Sequence, residues 1–389
     1  MAQERRVFRY DFILLAVIVL LTLLGLVTLF SASYLFAVNQ PGRFSNIWNI
    51  PIGWTPMLMN FAVCIFMLIL FPLIARKDLS FLKSGRFIFF LLLLTIGLNV
   101  LPFFHVFMAN PRAMRWIRIG PFSFQPSEMI KVVLPLYLAY ILEKNNTKIT
   151  TFTRGPLPPA LVTMLFCTLV LFQNNFSDAA IIAVSSLIIC FISGIRLGWF
   201  LVAILVSCIT AIILIFGDRE GRWYTRIANF GRQHHDPLDT GYQITLSLDA
   251  IRSGGFWGKG IGQGTLKTRM PEVHGDFVFA SFTEESGFLG VLLYFILIGI
   301  FAFICYFVVW KNKNLHSQIL IFGLVTPIVV QTMLNIAVVA SMIPTTGVAL
   351  PFVSSGGSSL LMTLISAALL FNLTRRHVLH DELENNYAR

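Results

Sequence analysis

Long apolar segments separated by polar loops run through most of the chain. A helix needs about 20 apolar residues to cross a bilayer core, and the pattern predicts about ten such helices. They lie at 10–34, 53–75, 87–108, 126–143, 158–173, 179–195, 197–217, 280–310, 317–343 and 355–374. The predicted fold class is an all-α polytopic membrane protein, with residues 1–389 forming a single transmembrane domain.

The composition supports a membrane protein and excludes other classes. The 389 residues are 56% hydrophobic and only 12% charged, whereas a soluble domain carries about 25% charged residues. A soluble enzyme, a nucleic-acid binder and a disordered scaffold are therefore excluded. The five cysteines lie in apolar stretches and no zinc spacing occurs, so the sequence implies no metal or other cofactor; a divalent cation is left open.

Basic residues in alternate loops predict the orientation. The basic loops contain Arg5, Arg6, Arg9, Arg76, Lys77, Lys83, Arg86, Lys144, Lys148, Arg154, Arg196, Lys311, Lys313, Arg375 and Arg376. Cytoplasmic loops are enriched in Lys and Arg, so both termini are expected to be cytoplasmic. One long extracytoplasmic loop, 218–276, then lies between the seventh and eighth spans.

A second group of basic residues lies on the opposite side. The loop after the third span contains Arg112, Arg115 and Arg118 without a nearby acid, which favours an anionic ligand outside the membrane. Topological noise and contact with phospholipid headgroups are the alternatives. Trp116 fits either a ligand site or an interfacial aromatic belt.

The fourth span opens with ionisable residues. Pro126 suits the first turn of a helix, and Lys131 follows Glu128 by three residues on the same face. An ionisable group inside an apolar span is a functional candidate with a partner. A local Glu128–Lys131 pair that only ties down the helix end is the alternative.

A carboxylate marks the start of the eighth span. Asp276 stands where a polar loop becomes an apolar helix, and could be a general base or only a helix cap. Glu284 is about 12 Å further along the helix, too far for a glycosidase-type carboxylate pair. The preceding glycine run, 254–264, predicts a flexible backbone able to approach a phosphate or a sugar.

Four segments together resemble the SEDS family (shape, elongation, division and sporulation), which includes RodA and FtsW. They are Arg115-Trp116 with Gln125-Pro126-Ser127-Glu128 and Lys131; Gly241-Tyr242-Gln243 with the glycine run; Pro271-Glu272 through His274 to Asp276-Phe277; and Pro344–Gly347 through Pro351-Phe352 to Gly356-Gly357-Ser358-Ser359. The resemblance covers the whole chain. It departs at Gln173–Asp178, where members commonly have Gln-Pro-Asp-Leu-Gly-Thr, so no role is carried onto Asn175.

The resemblance implies a peptidoglycan glycosyltransferase that polymerises lipid II and releases undecaprenyl diphosphate on the outer face of the cytoplasmic (inner) membrane. Asp276 aligns with the essential catalytic residue, and Lys131 with its charge partner or a diphosphate contact. The candidate substrate-binding residues are Arg112, Arg115, Trp116, Arg118, Glu128, Arg222, His274 and Ser358.

The biological role has several possible assignments. The Gly264–Lys267 stretch favours the FtsW type, acting at the division septum, over the RodA type, acting in elongation. Either type implies a class B penicillin-binding transpeptidase as partner, and the septal type implies other divisome proteins. A lipid II flippase and a non-catalytic scaffold are the alternatives from other classes.

Overall fold

The fold is described from a computed structural model for residues 9–39, 55–104, 115–119, 122–196, 198–199, 201–202, 204–206, 209–210, 224, 240–266, 269 and 273–387. Its longer helices are α1 (Tyr10–Asn39), α2 (Thr55–Arg76), α3 (Gly85–Val100), α4 (Pro126–Lys144), α5 (Leu157–Phe172), α6 (Phe176–Ile192), α7 (Thr240–Gly254), α8 (Val278–Lys311), α9 (Leu315–Val339) and α10 (Gly357–Tyr387). Short 3₁₀ turns lie at Ser80–Lys83, Leu101–Phe103 and Asn146–Lys148. Two strands, β1 (Ile117–Ile119) and β2 (Phe122–Phe124), form a hairpin that the sequence did not predict.

Most predicted spans coincide with a helix to within a few residues. Among the described residues, α1, α2, α3, α8, α9 and α10 are long and apolar enough to cross a membrane, and α5 and α6 are shorter apolar helices. The predicted seventh span, 197–217, falls largely outside the described residues. The last span was predicted to end at residue 374, but α10 continues to Tyr387.

The outward faces of the helices are apolar. On α2, Phe66, Leu68, Ile69 and Leu73 are each more than half exposed. Contiguous apolar surface of this kind is not tolerated in water, so these faces are the lipid-contacting surface of a membrane protein.

Helix α4 lies at the centre of the described bundle. It packs against α3, α5, α6, α9 and α10, and its first half is almost entirely buried. Around it, α1 and α8 pack together, as do α2 and α10, and Phe301 of α8 meets Phe352 edge to face at 5.8 Å. The ionisable residues at the start of α4 are therefore enclosed by protein, not by lipid.

The predicted long loop 218–276 is partly folded. It contains α7, which packs along α8, and Ser247 of α7 donates a hydrogen bond of 2.8 Å to the carbonyl oxygen of Val339 at the end of α9. Helix α8 itself is interrupted at Gly287, whose φ of 61° and ψ of −163° are outside the helical region. Only a glycine adopts this conformation readily, so the break is encoded at this residue.

Candidate functional site

The β-hairpin delivers the chain into α4. Arg118 of β1 pairs with Ser123 of β2, and Arg115 and Trp116 precede the first strand. After β2, the backbone N–H of Gln125 donates to the hydroxyl of Ser358 on α10 at 3.2 Å. The hairpin therefore fixes both the start of α4 and the position of the arginine-bearing segment relative to α10.

A buried ion cluster forms around Lys131. Its Nζ lies 2.9 Å from Glu128 Oε1, 2.9 Å from Asp178 Oδ1 and 2.8 Å from Gln331 Oε1. An ammonium group has three N–H donors, so these three acceptors from α4, α6 and α9 satisfy it completely. The Lys131 side chain is also only 7% exposed. It therefore has no N–H donor left for a ligand, and it is not accessible to an anion from outside.

Asp178 completes this cluster and was not among the predicted site residues. Its Oδ2 accepts hydrogen bonds from Ser127 at 2.7 Å, Gln125 at 2.9 Å and Asn175 at 2.7 Å. The Asn175 side chain also accepts from the backbone N–H of Asp178 and thereby caps α6. In the divergent Gln173–Asp178 segment, the acid stands three residues later in sequence than in the family pattern, and in this structure it faces Lys131.

The second part of the site is the turn at 273–277, which precedes α8 and carries Asp276. Three hydrogen bonds fix its backbone: from Asn335 Nδ2 to the Asp276 carbonyl oxygen (2.8 Å), from Ser354 Oγ to the Gly275 carbonyl oxygen (2.8 Å) and from the Ser355 N–H to the His274 carbonyl oxygen (2.8 Å). The donors come from α9 and from the segment before α10. The proline- and glycine-rich segment 344–356 is therefore a support for the aspartate.

Asp276 and Arg115 face the same small space. A Cβ atom built on Gly347 would lie 3.4 Å from Asp276 Oδ2 and 3.9 Å from Arg115 Nη1. Gly347 has a φ of +78° and no side chain, so the point at which its Cβ would lie is adjacent to both the carboxylate and the guanidinium. Both side chains are half-buried. The sequence predicted a functional role for each residue, and the structure brings them together.

One face of α9 joins the two parts of the site. Gln331 accepts from Lys131 and donates to the carbonyl oxygen of Ala349 at 2.8 Å, while Asn335 donates to Val348 at 2.7 Å as well as to Asp276. Residues four apart lie on the same face of a helix. The ion cluster therefore supports the 344–356 segment, and that segment supports the aspartate.

The other predicted site residues have different outcomes. Ser358 is buried and accepts the Gln125 N–H, so its hydroxyl holds the hairpin. Trp116 and His274 are half-buried near the two parts of the site. Arg112 and Arg222 lie outside the described residues, and only the backbone of Arg118 is described. Among the described residues, no group of three or more His, Cys, Asp or Glu side chains could hold a metal ion.

The arrangement has a defined chemical capacity. A carboxylate in a half-buried turn can accept a proton from a hydroxyl, and a guanidinium beside it can bind a phosphate through charge-assisted hydrogen bonds. The turn that carries the carboxylate is held by Asn335 of α9 and by Ser354 and Ser355 before α10. The site therefore combines a single base with a cationic contact.

Comparison with known proteins shows the family. The model of the FtsW, RodA and SpoVE family, described as "Cell cycle protein", matches residues 11–378. The chain belongs to this family.

The relatives agree with this membership, and two solved structures share the fold. The chain is 31% identical over 363 residues to the "Probable peptidoglycan glycosyltransferase FtsW" of Borreliella burgdorferi, covering 93% of this chain and 95% of the relative. It is 32% identical to the protein of the same name from Bacillus subtilis, covering 94% and 90%. A chain of a peptidoglycan synthase complex described as coordinating polymerization and crosslinking superposes with a TM-score of 0.75 at 24% identity, covering 95% of this chain and 99% of that one. The Thermus thermophilus rod shape determining protein RodA superposes with a TM-score of 0.67 at 24% identity, covering 95% and 98%.

Proposed function

We propose that this protein is a peptidoglycan glycosyltransferase that polymerises lipid II into glycan strands and releases undecaprenyl diphosphate. Family membership and relatives named as peptidoglycan glycosyltransferases support the activity. The observation that carries the assignment of the site is the approach of Asp276 and Arg115 to the same point beside Gly347.

Asp276 acts as the general base in this proposal. The acceptor sugar 4-hydroxyl attacks the anomeric carbon of the donor, the new C–O bond forms, and the bond from that carbon to the diphosphate oxygen breaks. The hydroxyl proton passes to the Asp276 carboxylate. The diphosphate is already a good leaving group, so it needs cationic stabilisation more than a general acid.

Arg115 provides that cationic stabilisation in the described part of the site. Its guanidinium lies beside the space that Asp276 also faces, where negative charge develops as the diphosphate leaves. Arg112, Arg118 and Arg222 are proposed to extend this anion-binding wall, with Trp116 and His274 as further substrate contacts.

Lys131 has a different role from the one that the resemblance implied. Because its three donors are satisfied by Glu128, Asp178 and Gln331, we assign it to positioning and not to contact with the diphosphate. Glu128 and Ser358 belong with it, since both side chains are buried and support neighbouring elements.

The proposed topology has about ten spans, with both termini in the cytoplasm and the 218–276 loop outside. The alternating basic loops support it, as do the helices long enough to span a bilayer. Asp276, at the start of α8, then faces the extracytoplasmic side, where it can meet the sugars of a lipid-linked substrate.

A septal role with a transpeptidase partner is the finer part of the proposal. Relatives named FtsW support the division type over the RodA type. The structural neighbour that coordinates polymerization with crosslinking supports a class B penicillin-binding protein as partner, alongside other divisome proteins. A fluorescent fusion at midcell agrees with this role, whereas a sidewall distribution favours the elongation type.

A lipid II flippase is the second candidate function. Its support is the buried charge cluster around Lys131, because ionisable groups inside membrane spans often mark transport pathways. Transporters place such groups near the midplane, whereas this cluster lies in the first turns of α4 and α6.

One reconstitution experiment separates the two functions. The purified chain is placed in proteoliposomes with lipid II, with and without the co-purified transpeptidase, and both glycan strands and lipid II translocation are measured. Strand formation without translocation supports the glycosyltransferase. Translocation without strands, under conditions in which a known polymerase is active, overturns it.

A further inference from the structure

The glycine-rich segment 254–266 supplies the hydrogen-bond partners that α8 lacks at its break. In an unbroken helix, the N–H groups of Phe288 and Leu289 would donate to the carbonyl oxygens four residues earlier. Here they donate instead to the carbonyl oxygens of Gly255 and Phe256, at 2.9 and 3.3 Å. The carbonyl oxygens of Glu284 and Glu285 are thereby left without their helical donors. They accept instead from the N–H groups of Lys259 and Gly260, at 3.0 Å each. The segment thus replaces both missing helical hydrogen bonds.

Two adjacent carboxylates hold the same segment from inside. Glu284, whose side chain is fully buried, accepts from the N–H of Thr265 at 2.9 Å and from Lys259 Nζ at 2.7 Å. Glu285 accepts from the N–H of Gly262 at 3.1 Å and from Ser31 of α1 at 2.7 Å. The N–H groups of Lys259, Gly260, Gly262 and Thr265 thus already have acceptors within the protein, which does not favour the expected approach of these amides to a phosphate.

The outer surface of the segment is apolar. Trp257 is 78% exposed and Ile261 is 69% exposed, and Phe256 stacks on Phe288 with ring centroids 5.7 Å apart. This patch continues into the exposed apolar face of α8 below the break, at Leu292, Leu293 and Ile296. The patch is thus continuous with the lipid-contacting surface.

The length of α8 gives the depth of this patch. Trp310, at the opposite end of the helix, is 82% exposed and precedes Lys311, a pairing typical of a membrane interface. From Phe288 to Trp310 a helix rises about 33 Å at 1.5 Å per residue, close to the roughly 30 Å of a hydrocarbon core. If Trp310 lies at one interface, Phe288 and Trp257 lie at the other.

We propose that the segment 254–266 is a rigid interfacial anchor whose Phe256, Trp257 and Ile261 side chains insert into the headgroup–acyl boundary of the outer leaflet. The partner of this surface is the phospholipid bilayer itself. The part of α8 before Gly287 then lies outside the hydrocarbon core, so the anchor sets the height of Asp276 above the membrane. The choice of leaflet rests on the topology proposed above, but the insertion does not depend on the activity.

Fluorescence quenching by brominated lipids tests the anchor. The full chain is placed in nanodiscs whose lipids carry bromine either high or low on the acyl chain, and the Trp257 signal is taken as the difference between the wild type and Trp257→Leu. Trp310→Leu gives the matched signal from the other end of the same helix. We expect both signals to be quenched at least about twofold more by bromine near the glycerol than by bromine near the chain end, as interfacial indoles are.

Two outcomes overturn the proposal. The first is a Trp257 signal that neither lipid quenches while the Trp310 signal is quenched. The second is quenching that disappears when a second protein is co-purified, because a protein helix then covers the patch. Repeating the measurement in Asp276→Asn keeps the result separate from the proposed function, since the quenching is expected to be unchanged in an inactive enzyme.

Discussion

Asn335 holds the backbone of Asp276 in place: its Nδ2 lies 2.8 Å from the Asp276 carbonyl oxygen. The same amide nitrogen lies 2.7 Å from the carbonyl oxygen of Val348, so one side chain links the aspartate to the segment that bears Gly347. The aspartate is thereby fixed by a residue that need not touch the substrate.

Replacing Asn335 by leucine tests this link. The substitution keeps the number and branching of the side-chain heavy atoms but removes both N–H donors, and an unpaired buried carbonyl costs about 1–3 kcal/mol. We expect the polymerisation rate to fall about tenfold or more while lipid II binding changes little. Met333→Ala, at a 45% exposed position on the same helix, is the control. An Asn335→Leu rate equal to that of the control would contradict the positioning role.

Gly347→Ala tests the space between Asp276 and Arg115. The new Cβ would lie 3.4 Å from one group and 3.9 Å from the other, and the left-handed backbone adds about 1–2 kcal/mol of strain. Gly194 also has a left-handed backbone, with a φ of +88°, so Gly194→Ala introduces similar strain. Its new Cβ would have no neighbouring atom within 4 Å. We expect both variants to lose similar thermal stability and only Gly347→Ala to lose polymerisation. Equal activity in the two variants would show that this space is not the reaction site.

Lys131→Met tests the ion cluster. It leaves Glu128 and Asp178 buried without their cation, and breaking a buried ion pair costs about 3–5 kcal/mol. We expect a large drop in Tm, whereas Lys144→Met at the exposed end of α4 leaves Tm nearly unchanged. If Lys131 instead contacts the diphosphate, Lys131→Met will weaken lipid II binding and leave Tm close to that of the control.

An exchange of the acid between Asn175, the cap of α6, and Asp178, in its first turn, tests the cluster from the other side. Asn175 Nδ2 lies 2.7 Å from Asp178 Oδ2, so a carboxylate at position 175 would stand beside the same cluster. We expect Asp178→Asn to lower Tm and activity, and the double variant Asn175→Asp/Asp178→Asn to recover a measurable part of both. A double variant no better than Asp178→Asn would show that only residue 178 can face Lys131.

Much of the fold can be predicted from the sequence, and the errors of that prediction have physical causes. The span 126–143 agrees with α4 because Pro126 marks the first turn and a polar segment follows Lys144. The span 355–374 ended too early because Arg375 and Arg376 resemble a loop, although Arg376 pairs with Asp78 at 2.6 Å while α10 continues. The break in α8 at Gly287 has no hydropathy signal.

The site was predicted only in part. The pair Glu128 and Lys131 was predicted from their spacing along one helix. Asp276 was predicted as a candidate base from its place at the start of an apolar span. Asp178 was missed because its partner lies on a different helix, which periodicity does not reveal, and because the predicted span 179–195 began one residue after it, whereas α6 begins at Phe176. The meeting of Asp276 with Arg115 depends on the tertiary packing of segments that are far apart in sequence.

The most direct test of the account is polymerisation of lipid II by purified Asp276→Asn, with lipid II binding measured in the same preparation. Asp249→Asn, a half-exposed aspartate of α7 paired with Arg252, is the matched control. The account predicts that Asp276→Asn binds lipid II and forms no glycan strands, while Asp249→Asn forms them at the wild-type rate. Strands formed by Asp276→Asn at a rate near that of Asp249→Asn would contradict the assignment of Asp276 as the base.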